Sequence, residues 1–299
     1  MYDVIIVGGG PAGLSAGLYA SRLGKKTLIL EKLTPGGQIV LSSEIENYPG
    51  VCEVKSGLEL MSCWPEQAMR FGCEIKSEEV TKIEKKENFL ISTSINSYES
   101  KTLIIATGSS HKKAGFEGEE EFTGRGVSYC AVCDGFFYKD RVVAVIGGGD
   151  SALEEALYLS KIAKKVYLIH RRDKFKAAPQ TQKRVFNTPN IEIIFNKTVK
   201  KVFGKEFVEG IILNSNEEIK VDGVFVFVGM KVNNELVKDL VELNEYGEVK
   251  VNLNMQTSLK GMFAAGDVRE NSVKQVVAAA GDGAVAAINA IKLLQKEES

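Results

Sequence analysis

"GGGPAGLSAGLYASRLGKKTLILE" (residues 8–31) and "GGGDSALEEALYLSKIAKKVYLIH" (residues 147–170) are one pattern written twice. They align without a gap, and nine of 24 positions are identical. An apolar run precedes each copy, DVIIV before the first and VVAVI before the second. Each continues with apolar residues at helical spacing, then a Lys-Lys turn and a second short apolar run. That order is strand, glycine loop, helix, strand, a βαβ unit in duplicate. The chain has 299 residues, comfortable for two domains of ordinary size. The expected fold is α/β, with two Rossmann-like dinucleotide-binding domains.

The loops carry the chemistry. Gly8, Gly10 and Gly13 fit G-x-G-x-x-G, and Gly147, Gly149 and Ala152 fit G-x-G-x-x-A. The first glycine makes the tight turn, the second lets the backbone approach a pyrophosphate, and the third position packs helix on strand. The helix N-terminus then offers N–H groups and positive dipole to the phosphates. One such loop is a weak signal because glycine turns are common; two in the same strand–loop–helix setting are a strong one. The copies differ at the end of the second strand. The first has Glu31, whose carboxylate suits a ribose diol and repels a 2′-phosphate. The second has His170-Arg171-Arg172, where guanidinium groups suit a 2′-phosphate, although an Arg pair at a strand end also fits plain solvated surface. The first site is expected to take FAD or NAD(H) and the second NADP(H). A flavin beside a nicotinamide makes a circuit for two electrons.

Composition narrows the rest. Apolar residues make up 44%, charged residues 26%, and the formal net charge is −1. That balance gives no basic face, so nucleic acid is not an expected partner. No uninterrupted apolar run approaches about 18–20 residues, so no membrane association is expected. The chain opens directly on the DVIIVGGG strand, so a cytoplasmic location is expected. The five cysteines are Cys52, Cys63, Cys73, Cys130 and Cys133. An odd number argues against a structural disulfide framework. Cys130 and Cys133, in CAVC, read first as a redox dithiol. Zinc competes, but it wants four ligands, and the other cysteines, His111 and His170 are scattered. No metal is expected, and a buried structural pair stays open. Asp134 fits either a general acid for the departing thiolate or a turn residue in Asp-Gly. The Phe136-Phe137-Tyr138 run fits either a docking patch for a protein or core. Cys52, Cys63 and Cys73 are expected as small apolar fillers, Trp64 as half-buried on a helix, and His111 as solvated.

Taken together, GGGPAGLSAGLYA (8–20), PGGQI (35–39), EIENYPG (44–50), ATG (106–108), CAVCDG (130–135), GGGDSALEEALYL (147–159), HRRDKF (170–175) and FAAGDV (263–268) span nearly the whole chain. The chain resembles the bacterial low-molecular-weight thioredoxin reductases. The larger disulfide reductases place their cysteines near the first glycine loop and do not match. The resemblance implies an FAD domain interrupted by an inserted NADPH domain: 1–113 and 243–299 for FAD, and 114–242 for NADPH together with the redox disulfide. It implies that Gly8, Gly10, Pro11, Ala12, Gly13, Glu31, Gly36, Gly37, Gln38, Asn47, Thr107, Gly108, Gly266, Asp267, Lys274, Gln275 and Val276 hold FAD. It assigns Gly147, Gly149, Asp150, Ser151, His170, Arg171, Arg172 and Lys176 to NADPH.

By the same resemblance, electrons pass from NADPH to FAD, to a Cys130–Cys133 disulfide, and to thioredoxin, maintaining cell redox homeostasis. Cys133 would face the flavin, Cys130 would attack thioredoxin, and Asp134 would give the proton. Nicotinamide and disulfide both need the flavin ring, so the inserted domain would turn about linkers near 113–116 and 240–244. HKKAGFEGEE reads as an exposed connector. A homodimer is the expected assembly. Two positions depart from the family pattern. Lys176 stands where a third arginine is common, which weakens the expected preference for NADPH over NADH. Asp150 puts a carboxylate beside a pyrophosphate, harmless if it turns outward as a helix cap. The rival enzyme is a flavoprotein of the same fold that reduces another disulfide protein or oxidises a small dithiol. The rival of another class is a flavin-bound redox sensor.

Overall fold

The first strand sends Val4 and Ile6 to one face of a sheet and Ile5 and Val7 to the other, and all four are buried. Burial on both faces is the mark of a central parallel strand, and each such side chain contributes about 1.5–3 kcal/mol. The computed structural model describes residues 1–42, 45, 47–53 and 55–298; Glu44 and Glu46 of the EIENYPG motif lie outside the described residues. The chain starts with β1 (Tyr2–Val7), α1 (Pro11–Arg22) and β2 (Thr27–Glu31). It continues through α2 (Gly57–Met61), α3 (Trp64–Met69) and β3 (Glu74–Ser77) into a meander of β4 (Val80–Lys85), β5 (Phe89–Thr93) and β6 (Ser97–Ile105). A short strand β7 (Ser109–His111) leads to β8 (Val127–Ser128), α4 (Ala131–Asp134), β9 (Val142–Gly147), α5 (Asp150–Leu159) and β10 (Lys165–His170). Then come α6 (Pro179–Phe186), β11 (Ile191–Phe195), a second meander of β12 (Val199–Gly204), β13 (Val208–Leu213) and β14 (Glu218–Lys220), and β15 (Gly223–Phe227). Strand β16 (Met230–Val232) returns the chain to β17 (Met262–Ala264) and α7 (Val276–Glu298).

Both units follow one plan. The first has a parallel sheet ordered β3-β2-β1-β6-β17, and the second has β11-β10-β9-β15-β8. Each carries a three-stranded antiparallel piece, β4-β5-β6 or β12-β13-β14. Strand β6 serves both parts of its unit: its first residues pair with β5 and its last with β17. The duplication seen at the glycine loops thus extends through the whole unit, giving the two Rossmann-like sheets expected of an α/β fold.

Helices α1 and α7 press together under the first sheet. A Cβ at Gly283 would fall 2.0 Å from Ala12 O, and the Ser15 hydroxyl donates to Ala280 O at 2.7 Å. By length and composition α7 is apolar enough to cross a membrane, which the sequence expectation missed because glycine, aspartate and asparagine break its apolar run. Its alanine face (Ala286, Ala287, Ala290) is buried in the first unit's core.

The two passages between units run side by side. β7 and β16 pair antiparallel, with Ser109 opposite Val232 and His111 opposite Met230. Asn233 ties the crossing: its side chain donates to Thr107 O at 2.9 Å and accepts from the Ser110 hydroxyl at 3.1 Å. The second boundary, expected at 242–243, falls earlier. Val232, Val237 and Val241 are buried in the core of the first unit, so the chain has returned by Val232. The passages are accordingly β7 and β16, not 113–116 and 240–244. Nor is HKKAGFEGEE simply exposed: Phe116 sits in the second unit's core, and Glu119 is buried, accepting the N–H groups of Ala114 and Gly115.

Candidate functional site

The first glycine loop is built by close approach. Gly8 takes the left-handed region (φ +107), and a Cβ there would fall 2.3 Å from Ala106 O and 3.1 Å from Thr107 N. At Gly13 a Cβ would fall 1.8 Å from Gly8 O, so only glycine lets α1 start so near β1. Glu31, at the end of β2, accepts the Gly9 N–H at 2.6 Å and the Leu33 N–H at 2.9 Å. The Pro35-Gly36-Gly37 turn folds over this loop: Gly36 N–H donates to Gly9 O at 2.8 Å, and Gly37 lies against Gly10. Gln38, itself exposed, opens a 3-10 turn, and the exposed Asn47 donates to the Gln275 side chain at 3.1 Å. Thr107 and Gly108 lie at the crossing, the Thr107 hydroxyl donating to Asn233 O and Gly108 O accepting the Asn233 N–H.

The returning segment completes the cradle. Gly266 packs against Ala12, and its N–H donates to Asp282 at 3.1 Å. Arg269 grips the same carboxylate with two hydrogen bonds, 2.6 and 2.8 Å. Asp267 accepts the Ser272 hydroxyl at 2.9 Å, and burial raises its pKa above the ordinary carboxylate range. Lys274 takes a left-handed φ of +54° and donates its N–H to Ser272 just before Val276 opens α7. Arg269, Asp282 and Ser272 escaped the sequence reading. A lone acid inside the alanine-rich stretch was the available cue for Asp282.

The second loop repeats the geometry with different side chains. A Cβ at Gly147 would clash with Ala152 and Phe227 O. His170 occupies the Glu31 position, and its ring lies on Gly148 as Glu31 lies on Gly9. The imidazole is buried, its Nε2 has no hydrogen-bond partner among the described residues, and burial lowers its pKa. Arg171, Arg172 and Lys176 are exposed beside the loop, with Lys176 N–H donating to Gly148 O. Asp150 turns its carboxylate to the Ala178 N–H (2.7 Å) at the start of α6, and Ser151 is exposed in the first turn of α5. Neither Gly10 nor Gly149 caps its helix through a side chain, which leaves the first helical N–H groups to an anionic ligand. The close-packed glycines, uncapped helix starts and orphaned His170 nitrogen fit two dinucleotides.

Cys130 and Cys133 form a disulfide at the start of α4. Helix α4 lies on α5, with Gly135 against Tyr158 and Leu159. The helix that carries the dithiol therefore packs on the helix that the second glycine loop opens. Asp134 accepts the Ser128 hydroxyl at 2.5 Å. Phe136 is 57% exposed and meets Phe137 edge-on, while Tyr138 packs on Phe225, so this run supplies both surface and core. Tyr129, next to Cys130, donates to buried Glu119 at 2.8 Å and stacks on His111 with ring centroids 4.9 Å apart. His111 is therefore not solvated; burial, aided by Lys274, pushes its pKa down to about 4. Cys52 and Cys63 are exposed, not fillers, whereas Cys73 is buried and its thiol is pushed up to about 11. Trp64 is half-buried against Tyr48. Among the described residues no cluster suits a metal ion.

The family model described as pyridine nucleotide-disulphide oxidoreductase matches residues 2–283. A thioredoxin reductase of Helicobacter pylori is 48% identical, covering 99% of each chain. The solved thioredoxin reductase of Streptococcus pyogenes, 41% identical, covers 99% of each chain with a TM-score of 0.95. The Lactococcus lactis thioredoxin reductase in an FR conformation is 40% identical. It covers 99% of this chain and 100% of its own, with a TM-score of 0.69.

Proposed function

The chain belongs to the pyridine nucleotide-disulphide oxidoreductases, and within them to the thioredoxin reductases, and on that footing we propose that it reduces the thioredoxin disulfide with electrons from NADPH. The observation that carries this is the Cys130–Cys133 disulfide on α4, which packs against α5, the helix opened by the second glycine loop. When bound, FAD and NADPH supply hydride transfer and bring the electron pair to the disulfide.

The remaining chemistry belongs to the chain. Gly8, Gly10, Pro11, Ala12 and Gly13 hold the flavin dinucleotide's pyrophosphate at the start of α1, and Glu31 takes its ribose. Gly36, Gly37, Gln38, Asn47, Thr107 and Gly108 line it from the first segment, and Gly266, Asp267, Lys274, Gln275 and Val276 from the second. The Arg269–Asp282 pair keeps Gly266 in place. Gly147, Gly149, Asp150 and Ser151 hold the pyrophosphate of NADPH. Asp150 contributes backbone only, because its carboxylate is turned to Ala178, which removes the conflict of an acid beside phosphate. Arg171, Arg172 and Lys176 face solvent where a 2′-phosphate would lie, and His170 packs beneath. Cys133 receives the electron pair, Cys130 attacks thioredoxin, and Asp134 gives the proton. The exposed Phe136, with Val132, offers thioredoxin an apolar landing beside the dithiol.

The second unit turns on the paired strands β7 and β16, so that nicotinamide and dithiol alternate at the flavin. The two solved relatives support this: at nearly equal identity and coverage, one superposes at 0.95 and the other at 0.69. The protein works in the cytoplasm as a homodimer. Helices α1 and α3 pack together, and Tyr19, Leu23, Met69 and Phe71, on these helices or just past their ends, are exposed; they are the apolar surface that the second copy would cover. The test is an anaerobic titration with NADPH followed by oxidised thioredoxin, watching flavin absorbance. The expected result is uptake of reducing equivalents beyond the flavin's own two electrons, and reoxidation by thioredoxin. A flavin that bleaches with NADPH but is not restored by thioredoxin would show that the acceptor is wrong.

A further inference from the structure

Ser128 is buried at the end of β8, on the second unit's parallel sheet, paired opposite Phe225 of β15. Its hydroxyl lies 2.5 Å from Asp134 Oδ2 and 3.3 Å from Cys130 O, and it accepts the Cys130 N–H at 3.1 Å. A hydroxyl has one proton to donate and lone pairs to accept with. It can therefore give its proton to Asp134 Oδ2 or to Cys130 O, but not to both at once. We propose that Ser128 is the positioning residue for Asp134, a two-way hydrogen-bond partner that fits both protonation states of the carboxyl and pins it to the backbone of Cys130. This deepens, and rests on, the assignment of Asp134 as proton donor.

The two states follow from the geometry. With Asp134 ionised, the Ser128 hydroxyl donates to Oδ2, and the short separation fits a charge-assisted bond. With Asp134 protonated, the carboxyl donates to Ser128, and the serine proton swings to Cys130 O. The Ser128 hydroxyl keeps a donor and an acceptor role in either state, so the acid can lose and regain its proton without a desolvation penalty on this neighbour. The chemistry needs such a cycle. Reducing the Cys130–Cys133 bond to two thiols takes two electrons and two protons. The electron pair and one proton come as hydride from NADPH; the second proton comes from Asp134, which solvent then recharges. Asp134 acts on Tyr138, whose pKa is raised chiefly by burial and then by Asp134; Arg141 and Asp222 also act on Tyr138. On the packed helix α5, the charge acting on Glu155 is that of Glu154.

The experiment compares the intact FAD-loaded enzyme with Ser128→Ala, Ser128→Thr and Asp134→Asn. For each, flavin reduction by NADPH is followed by stopped flow, and kcat/KM for thioredoxin between about pH 6 and 9. In Ser128→Ala the ionised carboxylate loses more than the neutral acid, since bonds to charge are the stronger. We expect kcat/KM for thioredoxin to fall about 5- to 10-fold and its alkaline limb to rise by about one pH unit. Flavin reduction by NADPH should be unchanged, and Ser128→Thr, which keeps the hydroxyl, should restore both plateau and limb. A Ser128→Ala profile that superposes on wild type would overturn the proposal. So would a Ser128→Thr variant as impaired as Ser128→Ala, because the effect would then be packing. Full thioredoxin turnover in Asp134→Asn would instead remove the assignment of Asp134, and the proposal with it.

Discussion

Glu31 and His170 occupy the same place in the two halves of the duplication, and each lies on the middle glycine of its loop. The carboxylate ties down two backbone N–H groups; the imidazole fills the space with its ring and keeps a buried nitrogen without a partner among the described residues. One backbone position thus makes an acidic slot in one cradle and a neutral slot flanked by arginines in the other. His111 is the other residue whose surroundings reverse a simple expectation. It is stacked on Tyr129, near Lys274, and its pKa is about 4 instead of 6.5. Between those values the unfolded chain binds more protons than the folded protein, so stability falls as pH drops from about 6.5 to about 4. The His111→Phe variant keeps an aromatic ring on Tyr129 and removes the titration. Its difference in Tm between about pH 7 and about pH 5 should narrow, by the equivalent of on the order of 1 kcal/mol after allowing for solvent screening. Equal pH dependence in the two proteins would show that His111 is not the titrating group.

Within single elements, spacing decides what a substitution does. Gly13 and Gly149 both belong to glycine motifs, yet they face different demands. A Cβ at Gly13 would overlap Gly8 O at 1.8 Å, backbone against backbone, whereas at Gly149 nothing lies within 4 Å. Gly13→Ala should push α1 off β1, costing about 1–3 kcal/mol, and the purified protein should carry little FAD. Gly149→Ala should keep its Tm and its FAD, and weaken only the approach of NADPH, read as a raised KM. Loss of FAD from Gly149→Ala would contradict this separation of the cradles. The first strand, both loops and α5 were legible in the sequence because their pattern is local: period-two burial, glycine spacing, then helical spacing. The membrane-length helix α7 was not, because a small-residue face is apolar enough to pack under α1 yet does not read as a continuous apolar run.

At the scale of the whole molecule, the two units meet through β7, β16 and the Asn233 side chain. The dithiol and the second glycine loop ride on one of them. Cys133→Ser should therefore divide the circuit: flavin reduction by NADPH continues at a near-normal rate, while thioredoxin reduction falls at least about 10³-fold for want of the second sulfur. Retained thioredoxin turnover in that variant would mean that the electrons take another path. The sequence by itself determined the fold class, the two glycine loops, the difference between Glu31 and His170-Arg171-Arg172, and Cys130 and Cys133 as a pair of neighbouring thiols. Each rests on residues close together in the chain or on a repeat that can be aligned. The tertiary structure alone decided where the chain re-enters the first unit, that His111 stacks on Tyr129, that Arg269 clasps Asp282, and that Ser128 holds Asp134. Those contacts depend on which faces of distant strands and helices meet, and hydrogen-bond distance is set by packing in three dimensions, which no spacing along the chain encodes.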